Sequence, residues 1–249
     1  LFRSDGKGHT ISNLTISAAE SDYVGLFGRI SEGGMVMHLV LEDVDIQGCD
    51  YVGSLCGQND SGEINHCYTS GRVAGISQTG GLCGYNKGIV NQCCHIGVVS
   101  GSNSLVGGLC GLNDGTFSQC YAAGAVAGYE TCVGGICGLN GEGIISHCYA
   151  TNTIIGISIS GCGGLCGFNA GTISRSYAAG AIGGTGYFGG LCSENCGIVT
   201  DSFWDIESTG QAVSDGGWGL TSQEMKQTAS FKGWNDNTWT IDEWNDRPR

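Results

Sequence analysis

Proline and positive charge are scarce in this sequence. Pro248 is the single proline in 249 residues, and ten scattered lysines and arginines stand against 23 acidic residues, for a formal net charge of −13. Nucleic acid is excluded as an expected partner, because neutralising its phosphates requires clustered cations. No run of about 18 apolar residues occurs, so the sequence predicts no membrane span.

Glycine and cysteine, in contrast, are abundant. The 47 glycines follow no G-X-Y period, and 41% hydrophobic residues are too many for a disordered chain, so a fold with many regular turns is indicated. Fifteen cysteines are too many for an ordinary cytosolic domain and indicate an oxidising compartment or metal binding. The odd number leaves at least one thiol unpaired within a monomer.

One segment recurs seven times along the chain. Its most regular part reads V-G-G-L-C-G, with Phe27 and then six cysteines as anchors at steps of 26–29 residues. Each copy holds two or three runs of strand length separated by glycine. Because so small a unit cannot bury its own apolar face, the copies must stack. The sequence therefore predicts an all-β fold, a parallel β-helix or β-solenoid of about seven coils, over residues 1–204.

Equivalent positions of stacked coils form columns, and asparagine occupies one of them. It lies three residues after each anchor cysteine. Asparagine tolerates the left-handed turn conformation, and stacked amides bond one another between coils. We therefore predict a structural asparagine ladder, with a polar ligand groove as the alternative. The residues are Asn59, Asn86, Asn113, Asn140, Asn169 and Asn195.

Ten cysteines form two further columns. In-column disulfides are disfavoured because parallel Cβ atoms lie too far apart, and Ser176 and Ser202 in the second column argue against bridges within a coil. Buried free thiols, some disulfides and a metal stay open as alternatives. The first column is Cys56, Cys83, Cys110, Cys137, Cys166 and Cys192, and the second is Cys67, Cys93, Cys120 and Cys148. The better candidates for irregular bridges are Cys49, Cys94, Cys132, Cys162 and Cys196.

An aromatic column follows the second cysteine column by one residue. It contains Tyr68, Tyr121, Tyr149 and Tyr177, with Cys94 at the intervening coil. Strict alternation along a strand places these side chains outward, where they would offer a binding stripe to a glycan or another partner. A bend at this point would turn them into the core. Both orientations stay open.

Motifs of known chemistry are missing. The sequence has no HExxH, no C-x-x-C and no GGxGxD calcium repeat. His38, His66 and His147 share their column with glutamine, arginine and aspartate, as a solvated face does, and no column gathers paired carboxylates. We therefore expect no catalytic residues, no metal and no cofactor.

Residues 205–249 differ in composition from the repeats. All five tryptophans lie after residue 203, and glycine becomes sparse. Thr221 and Glu224 form a capping box that predicts one short helix over about 222–230, and TWTIDEW at 238–244 predicts a final strand. We interpret 205–249 as an aromatic cap over the C-terminal end of the solenoid. A tryptophan-lined carbohydrate site is the alternative.

The repeats resemble the GLUG-motif repeats of bacterial cell-surface proteins, which are named for their G-L-x-G core. KGHTISNLTI at 7–16 and the tail from SFWD at 202–205 resemble the segments that flank such arrays. The resemblance implies a solenoid in a secreted or cell-surface protein, in some cases as a non-catalytic region of immunoglobulin A proteases. It supplies no catalytic residues. Cysteine at the variable position of six consecutive copies departs from the family pattern.

These observations predict a non-catalytic, extracellular structural or adhesive module, expected to be a segment of a longer polypeptide. A carbohydrate-binding or accessory region of a polysaccharide-acting surface enzyme is the alternative. The first coil starts part-way through a unit, so we expect Val24, Leu26, Val36 and Leu39 to be uncapped and to support head-to-tail self-association into fibres. A glycan or a host or cell-surface protein is a further expected partner.

Overall fold

The computed structural model describes residues 2–129, 132–157, 161–231, 233–234 and 238–239. Within these ranges the chain is almost entirely strand and turn, and it winds through four parallel sheets in each coil. No helix in the described part is long and apolar enough to cross a membrane.

The four sheets, A to D, form the faces of the solenoid. Sheet A contains Arg3–Asp5, Met35–Met37, Glu63–Asn65, Ile89–Asn91, Thr116–Ser118, Ile144–Ser146, Thr172–Ser174 and Ile198–Thr200. Sheet B contains Thr10–Ser12, Thr15–Ser17, Val40–Gln47, Tyr68–Gly75, Cys94–Gly101, Tyr121–Gly128, Tyr149–Ala150, Thr153–Ile157, Tyr177–Ala178, Ile182–Thr185, Phe203–Asp205 and Trp218–Leu220. Sheet C contains Asp50–Val52, Ser77–Gly80, Val106–Gly107, Val133–Gly134, Cys162–Gly163 and Phe188–Gly189. Sheet D contains Phe27–Ile30, Cys56–Asn59, Cys83–Asn86, Cys110–Asn113, Cys137–Asn140, Cys166–Asn169 and Cys192–Asn195.

Each coil follows the order D, A, B, C, and adjacent coils are in register. Cys83 pairs in parallel with Cys56 on one side and Cys110 on the other. The Leu82 amide donates to the Leu109 carbonyl at 3.0 Å, so these two leucines are neighbours in the stack. The predicted parallel β-solenoid of about seven coils is confirmed.

Close glycine contacts divide the interior into a larger and a smaller apolar cluster. A Cβ atom on Gly108 would lie 2.8 Å from the Ala122 Cβ, and one on Gly135 would lie 2.4 Å from the Ala150 Cβ. Real Cβ atoms do not approach so closely, so only glycine lets the backbone between sheets C and D come this near to sheet B. The second glycine of V-G-G-L-C-G therefore sets the flattened shape of the coil.

The N-terminal coil is covered, contrary to expectation. The strands of residues 3–17 add a partial coil, and Leu14, Ile16 and Ala18 pack against the core. Consequently Val24, Val36 and Leu39 are only 6%, 0% and 6% exposed, and Leu26 is half-buried. The prediction that the first coil presents these apolar side chains along the axis was wrong for the three buried residues, because the segment before them supplies the missing layer.

The chain after residue 205 closes the C-terminal end. A one-turn helix, Ile206–Thr209, begins at the Asp205 side chain, which accepts bonds from the amides of Glu207 and Ser208. Ser214 Oγ then accepts from the amides of Leu191 and Cys192 at 3.0 and 2.9 Å. Ser214 thereby satisfies two edge amides of the last coil.

The single helix predicted over 222–230 is replaced by two 3₁₀ turns, Glu224–Lys226 and Thr228–Ser230. The predicted capping box does form, since the Thr221 amide donates to Glu224 Oε2 at 2.8 Å and the Glu224 amide donates to Thr221 Oγ1 at 3.2 Å. The turns do not continue as a helix because Met225 and Phe231 are buried against the solenoid. The predicted final strand lies largely outside the described residues, and Thr238 and Trp239 at its start are not in a strand.

Candidate functional site

The tyrosine column lies on the outer face of sheet B. Tyr121, Tyr149 and Tyr177 pair in register, and the residue after each points into the core. Their rings stack at centroid distances of 5.0 and 5.2 Å and within 5° of parallel. Tyr68 stands two coils before Tyr121, and Cys94 between them interrupts the stack. Of the two orientations left open by the sequence, the outward one is observed.

The C-terminal segment folds back over one end of this column. The Trp239 ring centroid lies 6.0 Å from that of Tyr149 and 5.8 Å from that of Tyr177. Trp234 stacks on Trp239 at 4.6 Å, and its Nε1 donates to the Asp201 carbonyl. Tyr177 is thereby left only 2% exposed. The tryptophan-rich tail thus covers the side of the solenoid as well as its end.

A groove of about 360 Å³ opens beside Trp239. Two half-buried tyrosine rings form its floor and the Trp239 ring forms one wall, inclined at 58° to the Tyr149 ring. Burial raises the pKa of Tyr121, so its hydroxyl is protonated at neutral pH. Its principal lining residues are Gln92, Gln119, Tyr121, His147, Tyr149 and Trp239.

The polar wall of the groove belongs to the corner between sheets A and B. Gln92, Gln119 and His147 have φ angles of 52°, 55° and 53°, in the left-handed region. The whole column shares this conformation, which explains why it holds polar residues of varied type rather than one ligand type. Its other described members are His38, His66, Arg175 and Asp201.

The six predicted ladder asparagines lie in one continuous row, joined by amide–amide bonds of 2.7–2.9 Å. Asn113 shows the full pattern. Its Nδ2 donates to Asn140 Oδ1 at 2.8 Å and to the Gly115 carbonyl at 3.3 Å. Its Oδ1 accepts from Asn86 Nδ2 at 2.9 Å and from the Gly115 amide at 3.2 Å. All hydrogen-bonding positions of this buried amide are used by the fold, which leaves none for a ligand.

Comparison with known proteins agrees with this architecture. The family model "The GLUG motif" matches residues 129–155. The resemblance of the repeats to GLUG-motif repeats is confirmed over this segment. The chain is 38% identical to halomucin of Haloquadratum walsbyi over 71 residues, which are 28% of this chain and 1% of halomucin. The crystal structure of a candidate immunoglobulin A1 protease from Bacteroides ovatus superposes with a TM-score of 0.57 at 19% identity, over 95% of this chain and 73% of that one. That likeness shows a shared fold alone.

Cysteine at the variable GLUG position fills the first buried column. The Sγ atoms of Cys83 and Cys110 lie 3.5 Å apart, and those of Cys137 and Cys166 lie 3.6 Å apart. All fifteen cysteines of the chain are free thiols. Burial and the neighbouring thiols raise the pKa of Cys110 and Cys137, so both stay protonated at neutral pH. These cysteines pack as small core side chains, and the thiols of Cys110 and Cys166 donate to the carbonyls two residues after them at 2.9 and 3.1 Å.

The second cysteine column bonds to the backbone. The Cys93 amide donates to Cys120 Sγ at 3.4 Å, and the Cys120 thiol donates to the carbonyl two residues before it at 3.1 Å. Ser176 repeats the arrangement, because its Oγ accepts from the Cys148 amide at 3.1 Å and donates to the carbonyl two residues before it at 2.8 Å. Serine can replace cysteine in this column because the position needs a small side chain that both donates and accepts a hydrogen bond.

Three features were not predicted from the sequence, and the first is a second aromatic stack. The Tyr23 and Tyr51 rings are 4.7 Å apart and 1° from parallel, and Arg29 lies 3.8 Å over the Tyr23 ring. Tyr85 extends the group at 6.1 Å from Tyr51. The repeated tetrapeptide D-Y-V-G at 22–25 and 50–53 is the signal that could have revealed it.

The second is His95, which is fully buried on the inner face of sheet B. Its Nδ1 lies 2.9 Å from Thr69 Oγ1, and its Nε2 has no hydrogen-bond partner. Burial lowers the pKa of His95 to about 4, so the ring is neutral at physiological pH. Alanine occupies the same column in the next coils, at Ala122 and Ala150, and so nothing in the repeat indicates a buried histidine.

The third is a cluster of Asp22, Cys49 and Asp50, whose ligand atoms lie within 4.8 Å of one another. Among the described residues it is the one such group of three. Burial and the Asp50 carboxylate raise the pKa of the Cys49 thiol, which makes it a poor metal ligand at neutral pH. We assign no ion to it.

Proposed function

We propose that this chain is a non-catalytic repeat module that acts outside the cell as a rigid structural or adhesive rod. The observation that carries the proposal is the continuous asparagine ladder, which joins six consecutive coils through amide–amide bonds. A solenoid whose coils contact only their neighbours gains stiffness and length from such ladders. The local similarity to halomucin supports an extracellular location, since mucins are extracellular.

The absence of turnover is tested on polysaccharides and peptides with the purified chain. Asp114 and Glu142 are the carboxylates to substitute, because they line one surface depression in neighbouring coils and Tyr85 fixes Asp114 with a 2.6 Å hydrogen bond. We expect no hydrolysis or elimination. Turnover by the wild-type chain that Asp114→Asn or Glu142→Gln abolishes would refute the non-catalytic role.

Head-to-tail association is a further part of the proposal. Arg3–Asp5 in sheet A and Phe27–Ile30 in sheet D are the first strands of their sheets, and each pairs with another strand on one side within the chain. Such edges can template pairing with a second copy. Light scattering across protein concentration should show growing mass and rods longer than one molecule. A monodisperse monomer at high concentration would exclude fibre formation by this segment.

A carbohydrate-binding role is the second candidate, and the aromatic groove on sheet B favours it. The Tyr121 face next to Cys94 and the Trp239 ring offer apolar surfaces in this groove, while the adjoining corner supplies amide groups. A glycan array with the purified chain tests the carbohydrate-binding role. The structural role is tested separately, by the turnover assay and by particle length. If no glycan binds and rods of the expected length form, the structural role is supported and the carbohydrate-binding role is not.

A further inference from the structure

We infer that the groove between Trp239 and the corner of sheets A and B is a binding site for a neutral saccharide. This inference rests on the proposed carbohydrate-binding role and deepens it by naming the site and the class of ligand. It draws on three independent properties of the groove: its aromatic surfaces, the spacing of its amides, and the lack of aspartate, glutamate, lysine and arginine among its described lining residues.

The aromatic surfaces fit a sugar ring. A pyranose has a C–H face that is apolar and slightly positive, and an aromatic face carries negative potential. Tyr149 is stacked between Tyr121 and Tyr177, so the tyrosine face left for a ligand is that of Tyr121, on the side where Cys94 interrupts the column. Trp239 stands beside the stack at 58° to the Tyr149 ring, with 6.0 Å between centroids. A sugar ring on the Tyr121 face would lie in the groove that Cys94 and Trp239 also line.

The polar wall matches the rim of such a ring. Gln92 and Gln119 are both exposed and occupy the same corner position in neighbouring coils, which are about 4.8 Å apart. Each amide offers donors and an acceptor, as a pair of vicinal hydroxyls requires. Their backbones are held in a left-handed corner by the flanking sheets, so the two amides are presented at a constant spacing.

Charge selects the class of saccharide. No aspartate, glutamate, lysine or arginine is among the described lining residues, and the chain as a whole carries a net charge of −13. A uronic or sialic acid would find no lysine or arginine among the described lining residues, and the negative net charge of the chain disfavours its approach. A volume of about 360 Å³ lies within the range of small-molecule sites and admits a short saccharide.

Saturation-transfer NMR with the full chain tests the inference, using methyl β-glucoside, methyl β-galactoside and N-acetylglucosamine as neutral probes and glucuronate as the charged one. We expect transfer to the C–H protons of at least one neutral probe and none to glucuronate. Tyr121→Ala should weaken that affinity about tenfold and Gln119→Ala about fivefold. Tyr51→Ala, which removes a stacked tyrosine from the other aromatic group, is the matched control and should bind as wild type does. Circular dichroism and thermal unfolding verify that each variant is folded.

Each other outcome contradicts the inference in a distinguishable way. Equal binding of glucuronate would overturn the choice of a neutral ligand while leaving a carbohydrate role. Binding that survives both Tyr121→Ala and Gln119→Ala would place the site elsewhere on the chain. If no glycan binds on the array and an aromatic peptide binds at Tyr121 instead, both the carbohydrate-binding role and the assignment of this groove to a saccharide would be overturned.

Discussion

Replacing Asn113 with alanine is the sharpest test of how the coils are held together. The side chain is fully buried and takes part in four hydrogen bonds, two to neighbouring ladder amides and two to its own turn at Gly115. Alanine removes all four and leaves partners in both adjacent coils unsatisfied.

The expected loss of unfolding free energy follows from the number of hydrogen bonds removed. A buried intramolecular hydrogen bond contributes about 0.5–1.5 kcal/mol net, so four of them correspond to about 2–6 kcal/mol of unfolding free energy. Asn195 at the end of the ladder is half-buried, and its side chain accepts from Asn169 and donates to the Gly197 carbonyl. Asn195→Ala, the same change at the same motif position, should therefore lower stability by about 1–2 kcal/mol only.

Urea denaturation followed by circular dichroism measures both variants, with the slope of each transition compared to wild type. We expect Asn113→Ala to lose more stability than Asn195→Ala, by about 2.5 kcal/mol at the middle of the two ranges, with saccharide binding unchanged. Equal losses for the two variants would show that the ladder amides do not act as a connected network. A small loss at Asn113 accompanied by lost binding would mean that the row serves a ligand.

The remaining predictions concern histidine and cysteine. The pKa of His95 is about 4 in the folded state and about 6.5 in the unfolded state, so stability should be retained above pH 6.5 and fall by up to about 3 kcal/mol as the pH drops to 4. His95→Ala should remove this part of the pH dependence of stability measured in urea. A pH profile unchanged by His95→Ala would contradict the prediction. Cys120→Ser should change stability by less than about 1 kcal/mol, because Ser176 already fills the same column with the same backbone bonds. Cys110→Ser keeps the Leu112 carbonyl as an acceptor but places a more polar group between buried thiols, and it should lower stability by about 1–3 kcal/mol. A reversed order in thermal unfolding would refute the two roles. A thiol reagent should label Cys196, the exposed cysteine, rapidly in the native protein and the ten column thiols only on unfolding, and fast native labelling of the columns would show that they are accessible.

The coils could be predicted from the sequence because each coil contacts only its neighbours, so equivalent residues recur at a nearly constant spacing along the chain. Once Cys83 and Cys110 are aligned, every other equivalent pair of those coils must also be neighbours, and the observed register has this form. The asparagine row, the leucine column and the parallel sheets therefore follow from one period. The outward position of the tyrosines does not follow from the period, because alternation along the strand predicts it only if the strand does not bend before Tyr121.

Only the tertiary structure decided how the unrepeated segments meet the solenoid. Residues 3–17 cover the first coil, and Met225, Phe231 and Trp239 fold back onto sheet B, which shortens a predicted helix to 3₁₀ turns and creates the groove. A segment that occurs once has no period to reveal its partner, and its position depends on the apolar surface it buries against a distant face. The sequence thus determined the coil, its register and its columns, while packing of single-copy aromatic residues decided where a ligand can bind.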